Sequence, residues 1–180
     1  MMSEAREDYI LLLLGAGERS IPTPEHLQKE MFLLCEAYPK AKELFQFEKH
    51  YEGPYSQSLQ EQAENPFHRS DAYGFDSSRR LQLTESGRRQ FNALLQKNHS
   101  NDRVVKLLQN MKLIRDVYDR LTRDEILLLI YVTYPKYTEF SEVYEKLMGD
   151  PVVRKALADG LLVKGVITED RYKEIIAKMA

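Results

Sequence analysis

The stretch Phe45-Gln-Phe-Glu-Lys-His-Tyr-Glu-Gly-Pro-Tyr-Ser-Gln-Ser-Leu59 decides the fold that the sequence predicts. It begins with an alternation that places Phe45, Phe47, Lys49 and Tyr51 on one face of a strand. Gly53-Pro54 then predicts a sharp corner, because proline fixes φ and has no N–H for a strand ladder. Ser56 can cap the first turn of a helix that ends by Asn65-Pro66. The stretch therefore predicts an aromatic strand that supports an outward-facing polar helix.

Two helices are predicted before this stretch. The first runs from a cap at Ser3 to about Leu14, and Gly15-Ala16-Gly17 ends it. It is apolar on every side near its end, so we expect it in the middle of its domain. The second begins at Thr23-Pro24, a cap followed by proline at the first helical position, and stops before Pro39.

The residues after the polar helix predict a hairpin and a further helix. A polar stretch from His68 to Arg80 leads to the alternating Leu81-Gln82-Leu83, and Thr84 can cap the next helix. The order helix, helix, short strand, helix, hairpin, strand, helix is that of a winged helix, with His68–Leu83 as the wing. The sequence predicts a mainly α protein with a small β wing, in which residues 1–98 form an N-terminal winged helix-turn-helix domain.

Residues 99–180 predict an all-helical C-terminal domain. Its first helix carries apolar residues at alternating spacings of three and four: Val104, Leu107, Met111, Ile114, Tyr118 and Leu121. This seam has two interpretations, an amphipathic helix lying on its own core or a helix pair that joins two copies. In the second interpretation Leu107, Met111, Ile114, Tyr118 and Leu121 form a homodimer contact. Thr122 opens a helix that is apolar all round, Asp150-Pro151 starts another, and Thr168 begins the last.

The composition is that of an ordinary globular protein, with 43% hydrophobic and 30% charged residues. The net charge of −2 gives no overall attraction to nucleic acid. A single cysteine, Cys35, excludes an internal disulfide and favours a reducing, cytoplasmic setting. No apolar run is long enough to span a bilayer, so we expect no membrane partner.

The sequence predicts no catalytic residues, no metal site and no cofactor. His26, His50, His68 and His99 lie far apart, and none has a cysteine or histidine at a metal-ligand spacing. Gly15-Ala16-Gly17 lacks the strand and the following motif of a phosphate loop. Cys35 lies among apolar residues, which is typical of an inert buried thiol. We therefore do not expect an enzyme.

Four short motifs occur in an order that carries a resemblance: Leu27-Gln28-Lys29, Tyr51-Glu52-Gly53-Pro54-Tyr55-Ser56, Leu83-Thr84-Glu85-Ser86-Gly87 and Tyr134-Pro135-Lys136-Tyr137-Thr138. The set resembles a group of prokaryotic, largely archaeal, winged-helix proteins with a Gly-Pro-Tyr-Ser motif. It is more distantly similar to the Panacea (SocA-like) antitoxin domain. The resemblance covers most of residues 8–140 and implies a regulator, antitoxin or accessory protein.

A winged helix would place two sets of residues at DNA, and the predicted contacts are Tyr55, Ser56, Gln57, Gln60, Arg69, Arg79 and Arg80. The glutamines can pair with adenine edges, and the arginines of the wing can meet the phosphate backbone. Glu61 and Glu64 oppose this, because each would approach a phosphate. The alternative is a non-catalytic adaptor that uses the winged helix as a protein-binding scaffold, with a toxin as one such partner. Tyr131, Tyr134, Tyr137 and Tyr144 fit either a partner-binding surface or half-buried packing.

Overall fold

The computed structural model describes residues 2–177, which form a mainly helical protein with two small antiparallel sheets. The predicted mainly α class is therefore confirmed. The chain forms two compact units. The first unit joins the chain up to Phe47 with Ser56–Asp119, and the second joins Glu48–Tyr55 with the chain from Arg120 onward. This division differs from the predicted boundary at Asn98.

The helices and strands follow one another in this order: α1 (Met2–Ala16), α2 (Pro24–Ala37), α3 (Pro39–Leu44), β1 (Glu48–His50), β2 (Gly53–Tyr55), α4 (Gln57–Glu64), β3 (Tyr73–Phe75), β4 (Leu81–Leu83), α5 (Glu85–Asn98), α6 (Asp102–Tyr118), α7 (Arg123–Thr133), α8 (Pro151–Val163) and α9 (Glu169–Ala177). A 3-10 turn at Pro135–Tyr137 and a π-helical turn at Glu145–Gly149 lie between α7 and α8.

The predicted helix starts are confirmed at five N-cap residues, whose side chains accept backbone N–H groups of the first turn: Thr23, Ser56, Thr84, Thr122 and Asp150. At Thr122 the reciprocal contact from Glu125 completes the predicted capping box. Each cap satisfies N–H groups that have no partner within the helix. These starts depend on residues within one turn of each other, which is why the local sequence predicts them.

The first unit is built around α1, which packs against α6, α4 and α5. Ile10, Leu11 and Leu13 are fully buried, so the expectation of a central first helix is confirmed. The β3–β4 hairpin pairs Tyr73 with Leu83 and lies within the predicted wing. Ile21 pairs with Leu81 on the other side of β4, so β4 lies between Ile21 and β3.

The strand predicted from Phe45 to Tyr51 forms only over Glu48–His50. Residues 45–47 have no regular structure, and Phe45 is fully buried in the core of the first unit. A short hairpin follows, in which Lys49 pairs with Pro54. Gly53-Pro54 therefore lies inside β2 and is not a corner. Proline is tolerated there because the sheet has two strands and β2 is an edge.

Gly53 explains why this hairpin forms where it does. Its φ of +82° is one that L side chains rarely adopt. A Cβ at this position would lie 3.0 Å from Cδ2 of Leu127 in α7, so glycine also allows β2 to approach that helix. The hairpin belongs with the second unit, although it lies outside residues 99–180.

The second unit is centred on α7, whose residues Ile126, Leu127, Leu128 and Ile130 are all buried. This confirms the prediction from its all-round apolar sequence. Tyr131 is also buried, and its hydroxyl lies 2.6 Å from Oγ of Ser141. None of the helices within residues 2–177 combines the length and apolarity that crossing a membrane requires.

Candidate nucleic-acid interface

Gln28 of α2 holds the start of α4. Its Oε1 accepts a hydrogen bond from the Ser56 N–H at 2.9 Å, and its Nε2 donates to the Ser56 carbonyl at 3.1 Å. Gln28 is buried, and so are Leu59 and Ala63 on the inner face of α4. These two hydrogen bonds fix the first residue before α4 against α2 and so set the direction of α4. The sequence alone does not predict this role for Gln28, whose one signal is an amide among the apolar positions of α2.

The outer face of α4 is polar and carries carboxylates beside the predicted base-reading amides. Gln57 donates to Oε1 of Glu61 at 2.9 Å, and Gln60 donates to Oε1 of Glu64 at 2.8 Å. Gln57, Glu61 and Glu64 are exposed. The helix is therefore aimed outward, as predicted, but its two amides already have partners within the helix.

The tip of the β3–β4 hairpin lies beside α4. Arg79 adopts a φ of +61° in the turn, its Nη2 lies 3.2 Å from Oε1 of Glu64, and its guanidinium lies over the Phe75 ring. Arg80 donates to Asp76 at 2.9 Å. The Arg80 N–H also donates to Asp76, and this bond lowers the pKa of that carboxyl below its ordinary value. We call the outer face of α4 together with the tip at residues 76–80 the α4–hairpin surface.

Three of the predicted DNA contacts lie elsewhere. Ser56 is fully buried, because its hydroxyl caps α4. Tyr55 belongs to β2 in the second unit, where its ring stacks on His50. Arg69 is half-buried and donates to Asp8 of α1 at 2.6 Å and to Gln90 of α5 at 2.9 Å. These hydrogen bonds hold the loop before β3 against α1 and α5, so Arg69 is not part of the α4–hairpin surface.

The charges on the α4–hairpin surface are mixed. Two arginines, Arg79 and Arg80, stand against the carboxylates of Glu61, Glu64 and Asp76, so no continuous positive strip forms. The pair between Arg79 and Glu64 is exposed, with 61% and 38% of the two side chains accessible. Ion pairs of this kind contribute only about 0–1 kcal/mol. A phosphate can therefore displace the carboxylate at little cost.

The predicted dimerisation seam lies along the protein's own core. Leu107 and Met111 are buried in the core of the first unit, and Ile114 packs against it. Tyr118 is half-buried, and Leu121 is buried in the second unit. A dimer contact through Leu107 and Met111 would require this core to open, which favours the interpretation that α6 packs within its own chain.

Within residues 2–177, no three histidine, cysteine, aspartate or glutamate side chains are placed to hold a metal ion. Burial raises the pKa of the Cys35 thiol to about 12, so it stays protonated and unreactive near neutral pH. Comparison with protein-family models, with curated proteins and with solved structures finds no match.

Proposed function

We propose that this protein is a DNA-binding transcriptional regulator or antitoxin-like protein that acts through a winged helix. The arrangement of α4 and the hairpin supports the proposal most directly. The strand order Ile21, β4, β3, with α4 entering just before β3, is the order expected of a winged helix. In this reading α4 enters the major groove and the hairpin tip follows the phosphate backbone.

The side chains on this surface suit such a role after a small rearrangement. The amides of Gln57 and Gln60 can pair with adenine edges once they leave Glu61 and Glu64. Water competes for both of these exposed hydrogen bonds, so releasing them costs little. Arg79 and Arg80 supply two phosphate contacts. We therefore expect modest affinity, because only two cations lie among three carboxylates.

The test compares the double variant R79A/R80A with the control K97A/R103A, which removes the same charge from exposed positions on α5 and α6. Binding is measured by fluorescence anisotropy on the duplex upstream of the protein's own gene and on a scrambled duplex. Hydrogen bonds to charged groups contribute about 1.5–3 kcal/mol, so R79A/R80A should weaken binding at least about tenfold. The control should bind as the wild type does. Equal loss in both variants, or in neither, rejects the proposal.

A charge-neutralising variant should act in the opposite direction. Glu64→Gln removes a carboxylate that repels phosphate and also frees Arg79, whereas Glu61→Gln removes a carboxylate alone. Both variants should bind DNA more tightly than the wild type, and Glu64→Gln should gain more. The same anisotropy titration measures this order. A Glu64→Gln variant that binds more weakly than the wild type contradicts the assigned surface.

A protein-binding adaptor is the second candidate, with a toxin as one kind of partner, and two observations favour it. The α4–hairpin surface has mixed charges, and the second unit exposes Phe140 by 62% and Tyr51 by 48%. Tyr131 and Tyr137 are buried, so they belong to the packing of that unit and not to a partner surface. Affinity capture from the source cell distinguishes the two candidates. Recovery of a stoichiometric protein whose retention depends on Phe140 supports the adaptor, and recovery of none rejects it.

A further inference from the structure

One face of α8 carries two exposed valines, with Asp159 on the same face half-buried beside α9. Val152 is 77% exposed and Val163 is 87% exposed. Lys155, Ala156 and Asp159 lie between them on the same face, because residues three, four and seven apart share one side of a helix. The opposite face is buried through Arg154, Ala158 and Leu161. The helix therefore packs on its own unit by one side and leaves an apolar stripe with one charge of each sign on the other.

An apolar groove of about 500 Å³ adjoins the first valine. It is lined by five residues of α8 and one of α9: Pro151, Val152, Lys155, Ala156, Asp159 and Ile176. The second valine, Val163, protrudes at the far end of the same helix. A groove and a protruding side chain thus lie at opposite ends of one face.

This face is complementary to itself when a second copy lies antiparallel to it. In a two-fold contact residue i meets residue j and j meets i. Lys155 then faces Asp159 of the second copy, and Val163 faces the groove beside Val152. The midpoints of both pairs fall at Leu157 or directly after it, so one axis satisfies both. A parallel copy would instead place like charges opposite each other.

Hydrogen bonds within the chain hold Lys155 and Asp159 in place. Lys155 Nζ donates to Asp159 at 2.7 Å, and the hydroxyl of Tyr172 donates to the other oxygen of Asp159 at 2.7 Å. Ala156, between the charged residues, has no side chain beyond Cβ and lets two helices approach closely. We propose that two copies of this chain form an antiparallel dimer through the α8 face, with Val163 of each copy in the groove of the other.

This dimer does not depend on DNA binding, since it uses none of the residues of the α4–hairpin surface. A single helix face lies at the small end of stable interfaces, so we expect a dimer that dissociates on dilution. It also replaces the seam on α6 as the place where a homodimer would form.

The test uses charge reversal and mixing, with sedimentation equilibrium over a wide range of protein concentration. K155E alone and D159K alone should each raise the dimer dissociation constant at least about tenfold, because each puts like charges opposite each other twice. An equimolar mixture of the two should dimerise again, because each variant then meets opposite charges on its partner. Val163→Asn should weaken the dimer without changing any charge.

The matched controls are K112E and D116K, which reverse an exposed lysine–aspartate pair of the same spacing on α6. They should dimerise as the wild type does. The proposal is overturned if the wild type sediments only as a monomer. It is also overturned if K155E and D159K dimerise separately as the wild type does, or if their mixture fails to recover the dimer. Circular dichroism checks that every variant is folded, and all substituted side chains are partly or fully solvent-exposed.

Discussion

Arg115 is a fully buried charge whose hydrogen bonds join the end of α1 to the end of α6. It donates to the carbonyls of Leu13 at 2.9 Å and Leu14 at 3.3 Å near the end of α1, and to Asp119 at 2.9 Å. Gly17 leaves room for it, because a Cβ there would lie 2.5 Å from the guanidinium carbon. A buried charge is tolerated when it is paired and hydrogen-bonded, and Arg115 meets both conditions.

Glu30 lies beside this arginine, but its carboxylate has no hydrogen-bond donor among the described residues. Its Oε2 is 3.5 Å from Arg115 Nε, but neither carboxylate oxygen accepts a hydrogen bond from any described residue. Burial raises the pKa of Glu30 well above the ordinary value of 4.5, and the opposing attraction of Arg115 is the smaller effect. The negative charge of Asp119 raises the pKa of Glu30 further. The native fold therefore favours protonated Glu30.

This state predicts a pH-dependent stability. Between the ordinary carboxyl pKa and the raised native pKa, the folded protein binds a proton that the unfolded chain releases, so unfolding becomes easier as pH rises. Glu30→Gln should remove this loss. The stability of the variant relative to the wild type should increase with pH by up to about 1.4 kcal/mol per unit. Urea denaturation across the acidic-to-neutral range measures the difference, and a difference that stays constant with pH contradicts it.

At the scale of the element, the sequence predicts what depends on near neighbours. The caps at Thr84 and Thr122 involve residues within one turn, and both are confirmed. The corner expected at Gly53-Pro54 is wrong, because both residues belong to β2, which pairs with β1 in a hairpin. The close approach of β2 to Leu127, which is distant in sequence, leaves no mark in the local pattern of a three-residue strand.

The step from Leu83 to Gly87 shows a packing constraint within one element. Thr84 caps α5, and its N–H donates to the Ala72 carbonyl at 2.9 Å. A Cβ at Gly87 would lie 1.8 Å from that same carbonyl oxygen. The first turn of α5 can therefore lie against the chain before β3 only with glycine at this position.

Gly87→Ala should destabilise the first unit by about 1–3 kcal/mol or more, because backbone must move to admit the methyl group. The matched control is Gly74→Ala in β3, where an added Cβ meets nothing within 4 Å. The control should change the free energy of unfolding far less than Gly87→Ala. Thermal and urea unfolding of both variants measure the comparison, and equal effects would show that the contact with Ala72 is not the cause.

The candidate site was harder to predict than the helices, because a polar side chain can serve either the fold or a ligand. The sequence predicts that Arg69 contacts the DNA backbone. In the structure its guanidinium donates hydrogen bonds to Asp8 and Gln90 instead. The sequence predicts that Ser56 contacts DNA, but its side chain is buried and caps α4. Only Gln57, Gln60, Arg79 and Arg80 of the predicted contacts lie on the α4–hairpin surface.

At the scale of the whole molecule, the net charge does not show how positive and negative side chains are distributed on the surface. A chain of net charge −2 has no general attraction for DNA, so any binding must come from a few local contacts. In the proposed function, the α4–hairpin surface supplies two arginines for these contacts. Proteins that bind DNA through many cations lose affinity steeply as salt rises. With two arginines, the proposed DNA affinity should fall only slightly with salt.

The salt dependence of DNA affinity tests the central claim most directly. For the wild type on the duplex upstream of its own gene, the slope of log K against log salt should be about −2 per protomer, one release for each of Arg79 and Arg80. R79A/R80A should bring the slope close to zero, while K97A/R103A keeps the wild-type slope. Absence of salt-sensitive binding, or an unchanged slope in R79A/R80A, would contradict DNA recognition by this surface.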